Sequence, residues 1–318
     1  MDKKTRLGII YGVISVFTIG FQPIVANARP AVINPFIYAA LTVLTEAITF
    51  FPVMMLERRN LRSKNKSGLI TNEDLEGILY GYKKNKVLLI YVGLTFGVGQ
   101  ILFFIGYGLS GAINGALAQK STIFFSLIFG FLILHEKISL TQIIFSILLF
   151  TGLILAVTEG SFNLLELNIG VLFLLALSSI WMLAHTMTKP IFTRNEAIPS
   201  QMVVIRNAIG ALILFAVFFT FFPLEVLKMI SNPEFIFWGF AMGATYGTGL
   251  YFWYKCMQYI DVNKASILVS PTPIATAIYA TFLLGETFTI YHLLGTIIVI
   301  LSIVMIVLPM NKKNDNKK

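Results

Sequence analysis

Cysteine, histidine and charge are all scarce in this 318-residue chain, and each shortage removes a class of function. Cys256 is the single cysteine, which excludes an internal disulfide. The three histidines, His135, His185 and His292, are scattered, so no metal cluster is visible. No glycine-rich phosphate loop follows a strand, and no catalytic triad or ATP motif stands out. Charged residues make up only 12% of the chain, against 57% hydrophobic residues and a mean hydropathy of +0.81. A soluble protein of this size could not solvate such a surface, so the chain reads as an integral membrane protein. The formal charge of +9 does not read as nucleic-acid binding. Its basic residues fall in short segments between long apolar runs, as membrane topology requires. A cleavable leader is not evident either. The apolar stretch Leu7 to Val25 is followed by Asn27, Arg29 and Pro30 rather than a small-residue cleavage site, and reads as a first span.

What is present is apolar sequence in helix-length pieces. A helix needs about 20 apolar residues to cross a hydrocarbon core of about 30 Å. Ten segments meet that length: roughly 7–26, 35–56, 87–109, 111–134, 138–158, 169–188, 200–222, 235–259, 264–284 and 289–309. Their near-continuous hydrophobicity suits helices rather than barrel strands. Pro30, Pro35, Pro199, Pro223 and Pro233 sit at span edges, where a missing N–H matters little. With the N-terminus in the cytoplasm, the inner segments collect Arg58, Arg59, Arg62, Lys64, Lys66, Lys83, Lys84 and Lys86. They also collect Lys137, Lys189, Arg194, Lys264 and the basic tail, while the outer segments hold only Arg29 and Lys228. This predicts a plasma-membrane protein with both termini cytoplasmic. The stretch 57–86 reads as one long polar loop, a topology anchor that also suits anionic lipid.

The chain also repeats itself. Residues 93–139 lie over 243–289 without a gap, at a constant offset of 150. Gly93, Gly97 and Gly99 fall on Gly243, Gly247 and Gly249; Thr122 falls on Thr272, Leu134 on Leu284 and Glu136 on Glu286. Five spans in each half turn the second copy upside down, so that Glu136 closes a span on the inner side and Glu286 on the outer. The predicted class is therefore an all-α membrane protein of ten transmembrane helices in two inverted five-helix repeats. The first repeat covers residues 1–160 and the second 161–318. Inverted repeats of this kind build two exchangeable gates around a central site in many secondary transporters.

The segments 111–158 and 261–309 resemble the EamA repeat of the drug/metabolite transporter superfamily. The second copy carries Ala265-Ser266, then Pro271 near mid-helix, then Gly285-Glu286 before the last span. The first copy has Ser121 in place of Pro271 and His135 in place of Gly285. The resemblance covers nearly the whole chain. It implies a substrate cavity between the halves and transport of small metabolites.

Two charged residues fall deep inside predicted spans. Glu46 lies about 18 Å from the outer end of its helix and Lys120 about 13–14 Å from the same side, at 1.5 Å per residue. An isolated charge at that depth costs roughly 2.5–3.5 kcal/mol, so each should face a cavity or the other. Either they form a structural ion pair, or one or both contact substrate. Lys120 would attract a carboxylate or phosphate; Glu46 would attract an ammonium group or carry a coupling proton. Lys120 matches Ser270, beside Pro271-Thr272-Pro273, where prolines would break the helix and free carbonyls for a ligand. Arg206, Lys255 and His185 lie near inner ends and read as snorkelling residues. Trp181 and Tyr254 are the aromatic candidates for the site; Tyr246, Tyr251 and Trp253 read as packing or interface residues. Gly239, Gly243 and Gly247 form consecutive four-residue steps, as do Gly93 with Gly97 and Gly111 with Gly115. Such stripes allow close backbone packing, or sliding between bundles.

These features predict a secondary transporter for a small polar metabolite, with an amino acid or related anion suiting Lys120 beside Glu46. It would work in a lipid bilayer, without cofactor or nucleic acid, as a monomer or homodimer. A membrane-embedded enzyme using Glu46 and Lys120, or a lipid-handling or sensory protein, is the rival reading; the inverted repeat favours transport.

Overall fold

Hydrocarbon offers no partner to a backbone N–H or C=O, so apolar runs of this length close their hydrogen bonds within helices. A computed structural model describes residues 3–30, 33–134, 138–162, 168–223, 225, 228, 231–259 and 268–307. Within these residues all regular structure is helical. The first half holds α1 (Lys3–Ala28), α2 (Pro35–Lys66), α3 (Asn72–Tyr80), α4 (Lys86–Ser110), α5 (Ala112–Ala118), α6 (Thr122–Leu134) and α7 (Leu140–Val157). The second holds α8 (Ile169–Thr193), α9 (Pro199–Phe221), α10 (Pro233–Tyr259), α11 (Thr272–Leu283) and α12 (Ile290–Val307). Seven candidate spans among the described residues are long and apolar enough to cross a membrane, while Thr272–Leu283 and Ile290–Ile306 are shorter apolar helices. The expected positions of Lys137, His135, Glu136, Lys264, Ala265 and Ser266 lie outside the described residues.

Helix starts follow local chemistry. Asn34 accepts from the Phe36 N–H at 2.8 Å ahead of Pro35 at N1. Ser139 and Gln142 form a reciprocal capping box at α7. Thr289 and His292, each 150 residues further on, exchange the same pair of contacts at α12. The stretch 57–86 is not a loop. Its glutamate, arginines, leucine and lysines favour helix, so α2 runs on to Lys66, with Lys64 and Lys66 at the negative end of its dipole. Then α3 and a 3-10 turn at Gly81–Asn85 lead into α4.

The repeat is visible in which helices touch. α1 packs on α10 and α11; α8, its counterpart, packs on α4 and α6. α4 crosses α9 as α10 crosses α2, and α2 with α9 and α7 with α12 are self-matched pairs. The protein is an all-α membrane protein built of two inverted halves. Contacts between the halves are therefore the main source of its core. Glu286 makes one of them. Its carboxylate takes the Ala112 and Ile113 N–H groups at 2.7 and 3.0 Å, binding the second half to the start of α5. Gly111, at φ +77°, supplies the turn that aims those N–H groups at it.

Candidate functional site

Glu46 meets Arg206, not Lys120. Glu46 Oε1 lies 3.5 Å from Arg206 Nη2, and both side chains are shut away from solvent at 1% and 0% exposure. Arg206 therefore does not snorkel. Its carboxylate partner, the Tyr254 hydroxyl at 3.5 Å from Nη1 and the Phe96 ring 3.9 Å beneath the guanidinium all lie inside the bundle. Two polar contacts at 3.5 Å are long for charge-assisted hydrogen bonds, which run about 2.7–2.9 Å. Among the described residues Arg206 Nε and Glu46 Oε2 have no hydrogen-bond partner. Asn207 stands beside the carboxylate, yet its Nδ2 completes no hydrogen bond. A buried, loosely paired arginine with spare donors, beside a carboxylate with a spare acceptor, can take a zwitterion between them.

Glycines bring the helices this close. A Cβ on Gly243 would strike Thr45 and the Glu46 backbone nitrogen, and one on Gly247 would strike the Phe50 ring and the Glu46 side chain. Gly239 makes the same room for Leu41. On the matching face of α4, a Cβ on Gly93 would strike Ile209 and approach the Arg206 carbonyl. Gly97 differs, because its added Cβ would find its nearest atoms at 3.4–3.5 Å, an ordinary contact. The stripes thus seat α10 against the Glu46 segment and α4 against the Arg206 segment.

Aromatic rings wall the pair on one side. Phe96 stacks on Trp181, which stacks on Phe103 and meets Tyr246 edge-on. His185 packs edge-on against Phe96 and Tyr254, and so is not a snorkelling residue either. Among the described residues Trp181 Nε1 is another buried donor without a partner. Trp181 and Tyr254 are both inside this wall, with Tyr246. Lys255 sits at the basic end of the bundle and pairs with Glu57, which also accepts from Ser200 and Tyr251.

Lys120 has a different partner. Gln119–Ser121 form a 3-10 turn that separates α5 from α6, and Val269–Pro271 form a turn before α11. The two breaks are equivalent under the 150-residue offset, although only the second contains a proline. Val269 would normally accept from the N–H four residues on, but that residue is Pro273 and has none. The Thr272 N–H turns to this oxygen instead at 3.2 Å, Thr272 Oγ1 donates to it at 2.6 Å, and Lys120 Nζ adds a donor from the opposite half at 3.1 Å. Lys120 is part-buried, while Ser270 beside the turn is buried. Among the described residues Lys120 has no carboxylate partner, and no cluster of His, Cys, Asp or Glu could hold a metal ion.

Spacing along the helices puts the two residues at similar depth. Glu46 lies about 18 Å from the face where α2 enters a core of about 30 Å, which leaves about 12 Å to the other face. Arg206, seven residues past Pro199, stands about 10 Å from that other face.

Known proteins agree with this architecture. A model of the EamA-like transporter family matches residues 6–158 and again 168–308. The chain is 26% identical over 230 residues to the uncharacterized transporter YyaM of Bacillus subtilis, covering 70% of this chain and 73% of that one. It is 23% identical over 225 residues to an uncharacterized transporter of Methanothermobacter thermautotrophicus, covering 67% of this chain and 62% of that one, so it spans less than two thirds of that relative. One solved crystal structure superposes with a TM-score of 0.60 at 14% identity, over 96% of this chain and 99% of its own length.

Proposed function

Since this chain belongs to the EamA-like transporter family, we propose that it is a secondary active transporter moving an amino acid, or a related carboxylate-bearing metabolite, across the plasma membrane by alternating access. One observation carries the choice of substrate: the loose, buried pair of Glu46 and Arg206, with Nε and Oε2 unpaired beside an aromatic wall. A substrate carboxylate takes Arg206 and its ammonium takes Glu46, replacing contacts that are long in the empty pair. Phe96, Trp181 and Tyr254 receive the apolar part. Lys120, at the break that faces Ser270 and Pro271, gives up Val269's carbonyl to become the second cation that the substrate's anionic group meets. Glu46 is also the group placed to carry a coupling proton when no ammonium is bound.

Uptake by purified protein in liposomes tests this, screened over amino acids, organic acids and sugar phosphates with and without a pH gradient. Saturable, mutually competing uptake of amino acids is the expected result. Transport confined to sugar phosphates or sugars, with amino acids neither carried nor competing, overturns it.

A further inference from the structure

A second site lies on the outside of the bundle. At its basic end, an open groove of about 290 Å³ runs between the starts of α4 and α9. Leu89, Ile90, Ile205 and Ile209 line it, together with Tyr82, Lys83 and Lys86. Ile90 is 55% exposed on the lipid-facing side of α4. An aliphatic trough with ammonium groups at one end has the chemistry of one phospholipid molecule, chain below and phosphate above.

The local charges reinforce that match. Among the described residues neither lysine has a carboxylate partner. Glu196, which packs against Gly81, is already engaged by Arg194 and by Asn85. The Arg194 hydrogen bonds hold its carboxyl below the usual glutamate range, so it stays charged and occupied. Lys83 is held over the Tyr80 ring at 4.9 Å, with Arg58 over the same ring at 5.4 Å. This gathers two cations over one ring, two residues before Tyr82 of the groove lining.

We propose that this groove binds an anionic phospholipid, with Lys83 and Lys86 on the phosphate and an acyl chain along Leu89, Ile90, Ile205 and Ile209. The consequence reaches the interior. Ile209 is also the side chain that fills the space over Gly93, at the seam where α4 meets the Arg206 backbone. A chain seated on Ile209 presses on a contact between the two halves.

Native mass spectrometry of the full chain, purified from vesicles of phosphatidylcholine with 20% phosphatidylglycerol, tests the proposal. Wild type should retain phosphatidylglycerol through detergent extraction. Lys83→Gln with Lys86→Gln should lower retention about thirtyfold, given the contribution of each lysine near an anionic surface. Ile205→Trp should fill the trough and lower it with the charges intact. Lys64→Gln with Lys66→Gln, elsewhere at the same end, should leave it unchanged. Equal retention in the Lys83/Lys86 and Lys64/Lys66 pairs would reduce the effect to bulk charge and overturn the site. Displacement by millimolar inorganic phosphate would make it a free-phosphate site and overturn the lipid. The readout is lipid retention, so it stands apart from whether amino acids are carried.

Discussion

Glu46 Oε1 and Arg206 Nη2 stand 3.5 Å apart across the boundary between the two halves, 160 residues apart in the chain and sealed from solvent. Breaking a buried pair by removing one partner strands the other charge and costs about 3–5 kcal/mol, whereas removing both is far milder. Arg206→Met and Glu46→Gln should therefore each lower the melting temperature of the purified protein, and the double variant should melt above Arg206→Met alone. All three should lose amino-acid uptake at least about tenfold if the pair binds substrate. Uptake restored in the double variant would make the pair structural only.

Lys120→Met removes the opposite half's donor to the Val269 carbonyl. Apparent KM should rise by about an order of magnitude, the effect of losing one charged contact of about 1.5 kcal/mol. Membrane insertion should persist. Because Glu46 pairs with Arg206, the losses in Glu46→Gln and Lys120→Met should add in the double variant. Rescue of uptake by that double variant would return Glu46 to Lys120.

The glycine stripes give a graded prediction. Gly243→Ala must displace Thr45 and the Glu46 backbone, and Gly247→Ala must displace the Phe50 ring, so both should abolish most uptake with surface expression intact. Gly97→Ala meets only ordinary contacts and should transport normally, as should Gly108→Ala, where nothing lies within 4 Å. Equal loss at Gly97 and Gly243 in a vesicle assay would count against close packing as the cause.

Glu286→Gln keeps the shape of the clamp on Ala112 and Ile113 but loses its charge and one of its two acceptors. A lost helix-start contact of this kind destabilises by about 1–2 kcal/mol. A fall of a few degrees in melting temperature in detergent is expected. An unchanged melting curve would show that this contact between the halves contributes nothing to holding them together.

Length, hydropathy and the 150-residue offset determined the helical class and the two halves, because the penalty of unpaired backbone in lipid acts on every residue wherever its neighbours lie. The break at Val269–Pro271 was legible for the same kind of reason, since proline lacks an N–H in any setting. The matching break at Gln119–Ser121 has no proline to announce it and follows from the pairing of the halves. The partner of Glu46 was decided only in three dimensions. Lys120 at about 13–14 Å and Arg206 at about 20 Å flank the depth of Glu46 at about 18 Å, and depth was all that spacing along a helix could supply. Which cation the carboxylate meets depends on which faces of α2 and α9 touch, and that depends on glycines of α10 and α4 letting backbones approach. The groove beside Lys83 and Lys86 likewise needed the packed bundle, because its lining comes from two segments far apart in sequence, residues 82–90 and 205–209.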